Sequence, residues 1–174
     1  MSVLALVGNP RSGSRTLTVA VEAAKAVGQR LDRLGAADSY EVIDLSALGP
    51  HLLSPGVSTG VEVALELVAE ASVLVVASPT YKGTYTGLLK AFLDRLPPQA
   101  LAGKAALPLL VMGDARHALA VEVHLRPLLV ELGATVPTPG LAVVEADLPR
   151  LDEVLTIWSE RVAPQTNATL CTLM

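Results

Sequence analysis

Three short, uninterrupted apolar runs limit what this chain can fold into: Val3-Leu4-Ala5-Leu6-Val7, Val73-Leu74-Val75-Val76-Ala77 and residues 105–112. None alternates apolar with polar residues, so each reads as a strand covered on both faces, the condition inside a parallel sheet. Each ends in a polar loop, and a helical pattern follows. Leu17, Ala20, Val21, Ala24, Val27, Leu31 and Leu34 fall on one face of a helix that ends near Gly35. Val61, Ala64, Leu65 and Val68 form a second face. Leu88, Leu89, Phe92, Leu93 and Leu96 form a third, on a segment from Tyr85 to Leu96 stopped by Pro97-Pro98. Residues 118–132 are helical in pattern but contain Pro127, whose missing N–H leaves the Val123 carbonyl without its usual partner and predicts a kink or bulge there. Leu151, Val154, Leu155, Trp158 and Val162 give the last helix, with a tail expected from Pro164 onward.

Two strands are weaker. Residues 40–45 are interrupted by Glu41 and Asp44, and residues 134–144 carry Pro137, Pro139 and Gly140; both suit the edges of a sheet. Residues 46–60, with Pro50, Pro55, Gly49 and Gly56, read as a surface loop. Five β-α units with the second and fifth strands outermost fit an α/β fold with a five-stranded parallel sheet of order 2-1-3-4-5, one domain over residues 1–174. In that order the loops after strands one and three open into a shared crevice.

Thirteen basic and seventeen acidic residues give a net charge of −4, which offers no footprint for nucleic acid or an anionic membrane. The single cysteine, Cys171, has no partner within the chain, and no Cys/His cluster has zinc spacing, so a reducing compartment and no metal are expected. No basic leader precedes Val3 and no apolar run approaches a bilayer span, so the expectation is a cytoplasmic protein.

Residues 8–16, Gly8-Asn9-Pro10-Arg11-Ser12-Gly13-Ser14-Arg15-Thr16, join a strand to a helix N-terminus, where free N–H groups and the helix dipole favour an anion. A Rossmann fingerprint needs glycine at Pro10 and a Walker A loop needs lysine at Ser14, so a phosphomonoester fits better than a dinucleotide or a nucleoside triphosphate. The alternative is that Ser14 only caps the helix while Arg11 and Arg15 are solvated. Residues 78–85, Ser78-Pro79-Thr80-Tyr81-Lys82-Gly83-Thr84-Tyr85, offer little acid–base chemistry. Backbone amides of residues 80–84 and the Tyr81 ring suit the edge and face of a planar ligand; equally, Tyr81 is a packed surface aromatic and Lys82 a solvated charge. The third loop contributes Gly113, Asp114, Arg116 and His117, where His117 is read either as a ligand contact or as a capping or surface residue.

With these residues in view, the chain resembles the NAD(P)H-dependent FMN reductase family of flavodoxin-like fold over nearly its whole length. The likeness is greatest to the sulfonate-utilisation FMN reductases, in which the Pro79-Thr80-Tyr81-Lys82-Gly83 run and the Leu101-Ala102-Gly103-Lys104 approach to strand four also occur. The resemblance implies a three-layer sandwich and hydride transfer from NADPH or NADH to FMN, with no catalytic side chain. It implies that Arg11, Ser14 and Thr16 hold the FMN phosphate with Ser12 and Arg15 beside it. Pro79, Thr80, Tyr81, Lys82 and Gly83 would border the isoalloxazine, and Gly113, Asp114 and His117 its far side or the ribityl chain. It further implies a homodimer or homotetramer and a flavin-dependent monooxygenase as recipient of reduced FMN. Some of these reductases carry an inserted tyrosine that forms a π-bulge at the subunit interface and is associated with flavin release. Here the stretch reads Ala120-Val121-Glu122-Val123-His124-Leu125, without tyrosine; His124 either takes that place or is a plain surface residue.

Three rivals stand beside this reading. A flavodoxin-type electron carrier would be strongly acidic and flank its flavin with aromatics, whereas this chain is 3% aromatic. An FMN-retaining quinone or azo-compound reductase would share the hydride chemistry. A non-catalytic flavin or phosphate-binding module would not consume NAD(P)H.

Overall fold

A computed structural model describes residues 2–35 and 39–173. Five parallel strands, β1 (Ser2–Val7), β2 (Ser39–Asp44), β3 (Val73–Pro79), β4 (Ala105–Met112) and β5 (Leu141–Val144), form one sheet in the order 2-1-3-4-5. This is the doubly wound flavodoxin-like order expected from the pattern. The continuous apolar runs are the three inner strands; every residue of β3 and β4 is buried.

Two apolar layers cover the sheet. On one side α1 (Arg15–Arg33) and α6 (Leu151–Leu173) pack over Val3, Ala5, Val7, Val75 and Leu107. On the other, α3 (Thr59–Glu70), α4 (Gly87–Leu93) and α5 (Arg126–Glu131) cover Leu4, Leu6, Leu74, Val76 and Leu110, with Phe92 fully buried at the centre. Alternate strand side chains thus enter opposite layers.

Four elements differ from the sequence reading. Strand β3 extends through Ser78 and Pro79, because Pro79 pairs in register with Val111 at the end of β4. Residues 46–60 are not all loop: Asp44 caps a short turn by accepting from the Ser46 N–H, and α2 (Gly49–Leu52) follows, anchored by buried Leu45 and Leu52. The fifth strand is confined to Leu141–Val144, since Pro137 and Pro139 supply no N–H to a ladder; upstream only Thr135 bridges to Ala105. Residues beyond Pro164 are helical to Leu173, because the buried face Trp158, Val162, Ala163, Thr166 and Leu170 runs past the proline. That burial outweighs the roughly 3 kcal/mol cost of an interior proline.

The bulge expected near Pro127 is a π-helix, Val121–Leu125, leading straight into α5. The Arg126 N–H donates five residues back to the Val121 carbonyl, immediately before the residue that has no N–H to give. The Glu122 carboxylate accepts from the Arg126 guanidinium and from the Gly140 N–H, while Arg126 also donates to the Val136 and Thr138 carbonyls. This network ties the π-helix to the approach to β5. The Arg126 hydrogen bond, aided by the Gly140 N–H, holds the Glu122 carboxyl below the usual glutamate range.

A folded-state value below the unfolded one means stability that is present above the ordinary glutamate range and lost as pH falls through the folded value. Wild-type melting temperature should therefore fall more steeply on acidification than that of Glu122→Gln. Parallel melting curves from neutral to acid pH would remove this role.

Candidate functional site

The carboxyl ends of four strands meet in an open cleft of about 430 Å³. The loop after β1 supplies Asn9, Arg11, Ser12, Gly13, Ser14, Arg15 and Thr16; β3 ends there with Pro79 and, just beyond, Tyr81; β4 adds Val111 and the segment after β5 adds Glu145. Apolar Pro79 and Val111 are paired neighbours in the sheet and make its floor, opposite the polar loop.

The loop is shaped by Asn9, which is 5% exposed. Its side-chain oxygen accepts from the Arg11 N–H at 3.0 Å and its amide nitrogen donates to Thr16 Oγ1 at 3.1 Å, so one side chain fastens the start of the loop to its end. Ser14 is the N-cap of α1: its hydroxyl accepts from the Leu17 N–H, and its carbonyl from the Thr18 N–H. The cap proposed as an alternative role for Ser14 is therefore real, yet its hydroxyl proton stays free to donate. Of the first-turn donors, the Arg15 and Thr16 amides remain for an incoming group.

Two guanidinium groups, three hydroxyls and a helix N-terminus make a donor set with the chemistry of a phosphate site. One anion is already present: Arg15 Nη1 donates to Glu145 Oε2. Among the described residues Arg11 makes no ion pair.

Three polar groups behind the loop fix its distance from α4. Thr86, the N-cap of α4, accepts from the Leu89 N–H and donates to the Gly8 carbonyl. Its own N–H donates to the buried Ser78 hydroxyl. Ser78 thus belongs to the framework.

Residues 81–84 form a tight turn in which the Tyr81 N–H donates to the Thr84 carbonyl at 2.9 Å and the Thr84 N–H returns the bond at 3.3 Å. Lys82 (φ 54°) and Gly83 (φ 84°) both take the left-handed conformation, the pattern of a type I′ turn. The Thr80 N–H goes to the Val111 carbonyl. Of the amides expected at the edge of a planar ligand, those of Thr80, Tyr81 and Thr84 are thus committed, leaving those of Lys82 and Gly83 at the tip. Among the described residues the buried Thr80 hydroxyl has no hydrogen-bond partner.

The structure therefore gathers Arg11, Ser12, Ser14, Arg15, Thr16, Pro79 and Tyr81 around one cleft, while Thr80, Lys82, Gly83, Gly113, Asp114 and His117 stand outside its lining. Asp114 caps a short turn, Ala115–His117, by accepting from the Arg116 N–H at 2.9 Å. That bond, with the Arg116 guanidinium beside it, holds the Asp114 carboxyl below the usual range. Its charge is spent on its own turn. Sequence reasoning passed over Asn9, Val111 and Glu145 as site residues. An asparagine straight after a strand-ending glycine is a turn signal; nothing local marked the other two.

A family model described as NADPH-dependent FMN reductase matches residues 1–148. The chain is 36% identical over 134 residues to an FMN reductase (NADPH) of Escherichia coli strain K12, covering 77% of this chain and 68% of that one. To an FMN reductase (NADPH) of Pseudomonas aeruginosa strain PAO1 it is 32% identical over 172 residues, covering 93% and 90%. The apo structure of the NADH:FMN oxidoreductase EMOB superimposes with a TM-score of 0.82 at 34% identity, over 95% of this chain and 89% of that one.

Proposed function

The chain belongs to the NADPH-dependent FMN reductase family and is an NAD(P)H:FMN oxidoreductase, and on that premise we propose that it takes FMN as an exchanging substrate and hands reduced FMN to a flavin-dependent monooxygenase. The observation that carries the reading is the open cleft at the carboxyl ends of the strands, in which a donor-rich loop at a helix N-terminus lies against apolar Pro79 and Val111; among the described residues no second phosphate loop lines it. Flavin and nicotinamide would share that space stacked on one another, since the hydride passes directly between them.

Arg11, Ser12, Ser14, Arg15 and Thr16 would hold the flavin phosphate. Pro79, Val111 and Tyr81 would pack on the ring and keep water from it, with the Lys82 and Gly83 amides at its polar edge and Gly113, Asp114 and His117 at the outer rim. The two cofactors supply the hydride donor and acceptor; the protein supplies position and hydrogen bonds. Among the described residues no histidine lines the cleft, and its one carboxylate, Glu145, is engaged by Arg15. His117→Ala should accordingly keep turnover within about threefold at saturating substrates, because general acid–base groups are worth about 100-fold or more when they act. A loss of that larger size would make His117 catalytic.

The test of the main proposal is steady-state kinetics with FMN varied against NAD(P)H, alongside flavin content as purified. Saturable dependence on added FMN and little bound flavin are expected. Stoichiometric co-purified FMN, no response to added FMN and turnover with quinones would put an FMN-retaining reductase in its place.

We also propose that the protein is a single-domain cytoplasmic homodimer or homotetramer. Leu119 just before the π-helix, Val123 within it and Val130 on α5 are exposed apolar side chains that support self-association. The π-helix around His124, followed by Pro127, is where assembly would bear on flavin exchange. Sedimentation at micromolar concentration should give a species larger than one chain; a monomer would rule the assembly out. Among the described residues no helix is long and apolar enough to cross a membrane.

A further inference from the structure

We propose that Glu145 is a built-in competitor for the flavin phosphate, a carboxylate that holds Arg15 in the free protein and is displaced when the anion binds. The inference rests on the assignment of the phosphate to residues 11–16 and deepens it by naming a residue that sets how tightly that anion is held.

Glu145 follows β5 directly, and its carboxylate reaches Arg15 across 130 residues of sequence to join two parts of the cleft lining. The pair does little for the fold. Its side chains are 64% and 45% exposed, and an ion pair so open to solvent adds little stability; α1 is held in place by its buried apolar face instead. A negative group is also the wrong choice for lining an anion site, unless weak retention is what the site requires.

Arg15 cannot give its guanidinium fully to both partners. An arriving phosphate must take Arg15 from the carboxylate and then stay near an unpaired negative charge, and both effects lower its affinity. When the phosphate leaves, Glu145 returns to Arg15, so the cation is not left bare and release is favoured. Arg11, which makes no ion pair among the described residues, would retain the phosphate in either arrangement. The cleft thus carries one committed and one contested cation, an arrangement suited to a flavin that must leave after reduction.

The experiment compares wild type, Glu145→Gln, and Arg11→Gln/Arg15→Gln, with dissociation constants for FMN and riboflavin measured by flavin fluorescence at low and physiological salt, and FMN dissociation rates by stopped flow. Glu145→Gln should tighten FMN on the order of tenfold, mainly through slower dissociation, with riboflavin unchanged and the gain shrinking as salt rises. Unchanged or weaker FMN binding in Glu145→Gln would overturn the proposal, as would an equal change for both flavins, which would place Glu145 on the ribityl chain or the ring. The arginine variant separates the two levels of argument. If it weakens FMN selectively while Glu145→Gln does not tighten it, the competitor role fails and the phosphate site stands; if it affects both flavins equally, the phosphate site fails and the competitor role with it.

Discussion

Replacing Arg11 and Arg15 together by glutamine should weaken FMN about 100-fold while leaving riboflavin within about twofold, since the proposed site would lose two charge-assisted hydrogen bonds to a phosphate that only FMN carries. Both residues are exposed, so the substitution leaves the core intact, and Asn9 still fastens the loop through its bonds to the Arg11 backbone and the Thr16 hydroxyl. The comparison with riboflavin separates loss of anion binding from loss of the ring site. Equal weakening of the two flavins, measured by fluorescence titration, would move the phosphate elsewhere.

The second large effect is on stability. Gly8 lies where β1 runs into the loop, its N–H donating to the Ala77 carbonyl and its carbonyl accepting from Thr86. A Cβ added there would lie 2.4 Å from the Leu89 Cβ and 3.2 Å from the Leu89 Cα. No rotamer relieves a clash with a Cβ, which every residue but glycine carries at the same place. Gly8→Ala should cost about 3 kcal/mol, lowering the melting temperature by about 10 °C, because α4 or the loop must shift. Leu89→Ala should not rescue it, since alanine keeps the offending Cβ. A melting temperature within about two degrees of wild type would show that α4 yields freely.

What was legible in the sequence follows from burial. Strands β1, β3 and β4 are covered on both faces, so their apolar runs marked them almost to the residue, and the polar interruptions Glu41 and Asp44 placed β2 at an edge. Local rules failed where tertiary packing decides. Proline beyond Val162 reads as a stop, but buried Thr166 and Leu170 hold the helix together past it. The short α2 was hidden because its anchors, Leu45 and Leu52, are too few to show a period. In the cleft, the donor-rich loop of residues 8–16 was readable because its donors are contiguous and open a helix. Glu145 was not, because only the fold brings the end of β5 to Arg15. The type I′ geometry of residues 81–84 explains why Lys82-Gly83 occurs there, but the spending of neighbouring amides on the turn itself emerges only from the coordinates.

The helical continuation past Pro164 also places the chain's only tryptophan well inside a packed element. Trp158 is 8% exposed and lies against the α1 side of the sheet, and among the described residues its indole N–H has no partner. An indole shielded from water emits at shorter wavelength than a solvated one, so the protein has an intrinsic optical reporter for the docking of α6. Trp158 is outside the lining of the cleft proposed to take flavin, so this signal follows the scaffold while flavin fluorescence follows the ligand. Two colours of emission can then tell a variant that has lost its ligand from one that has lost its last helix.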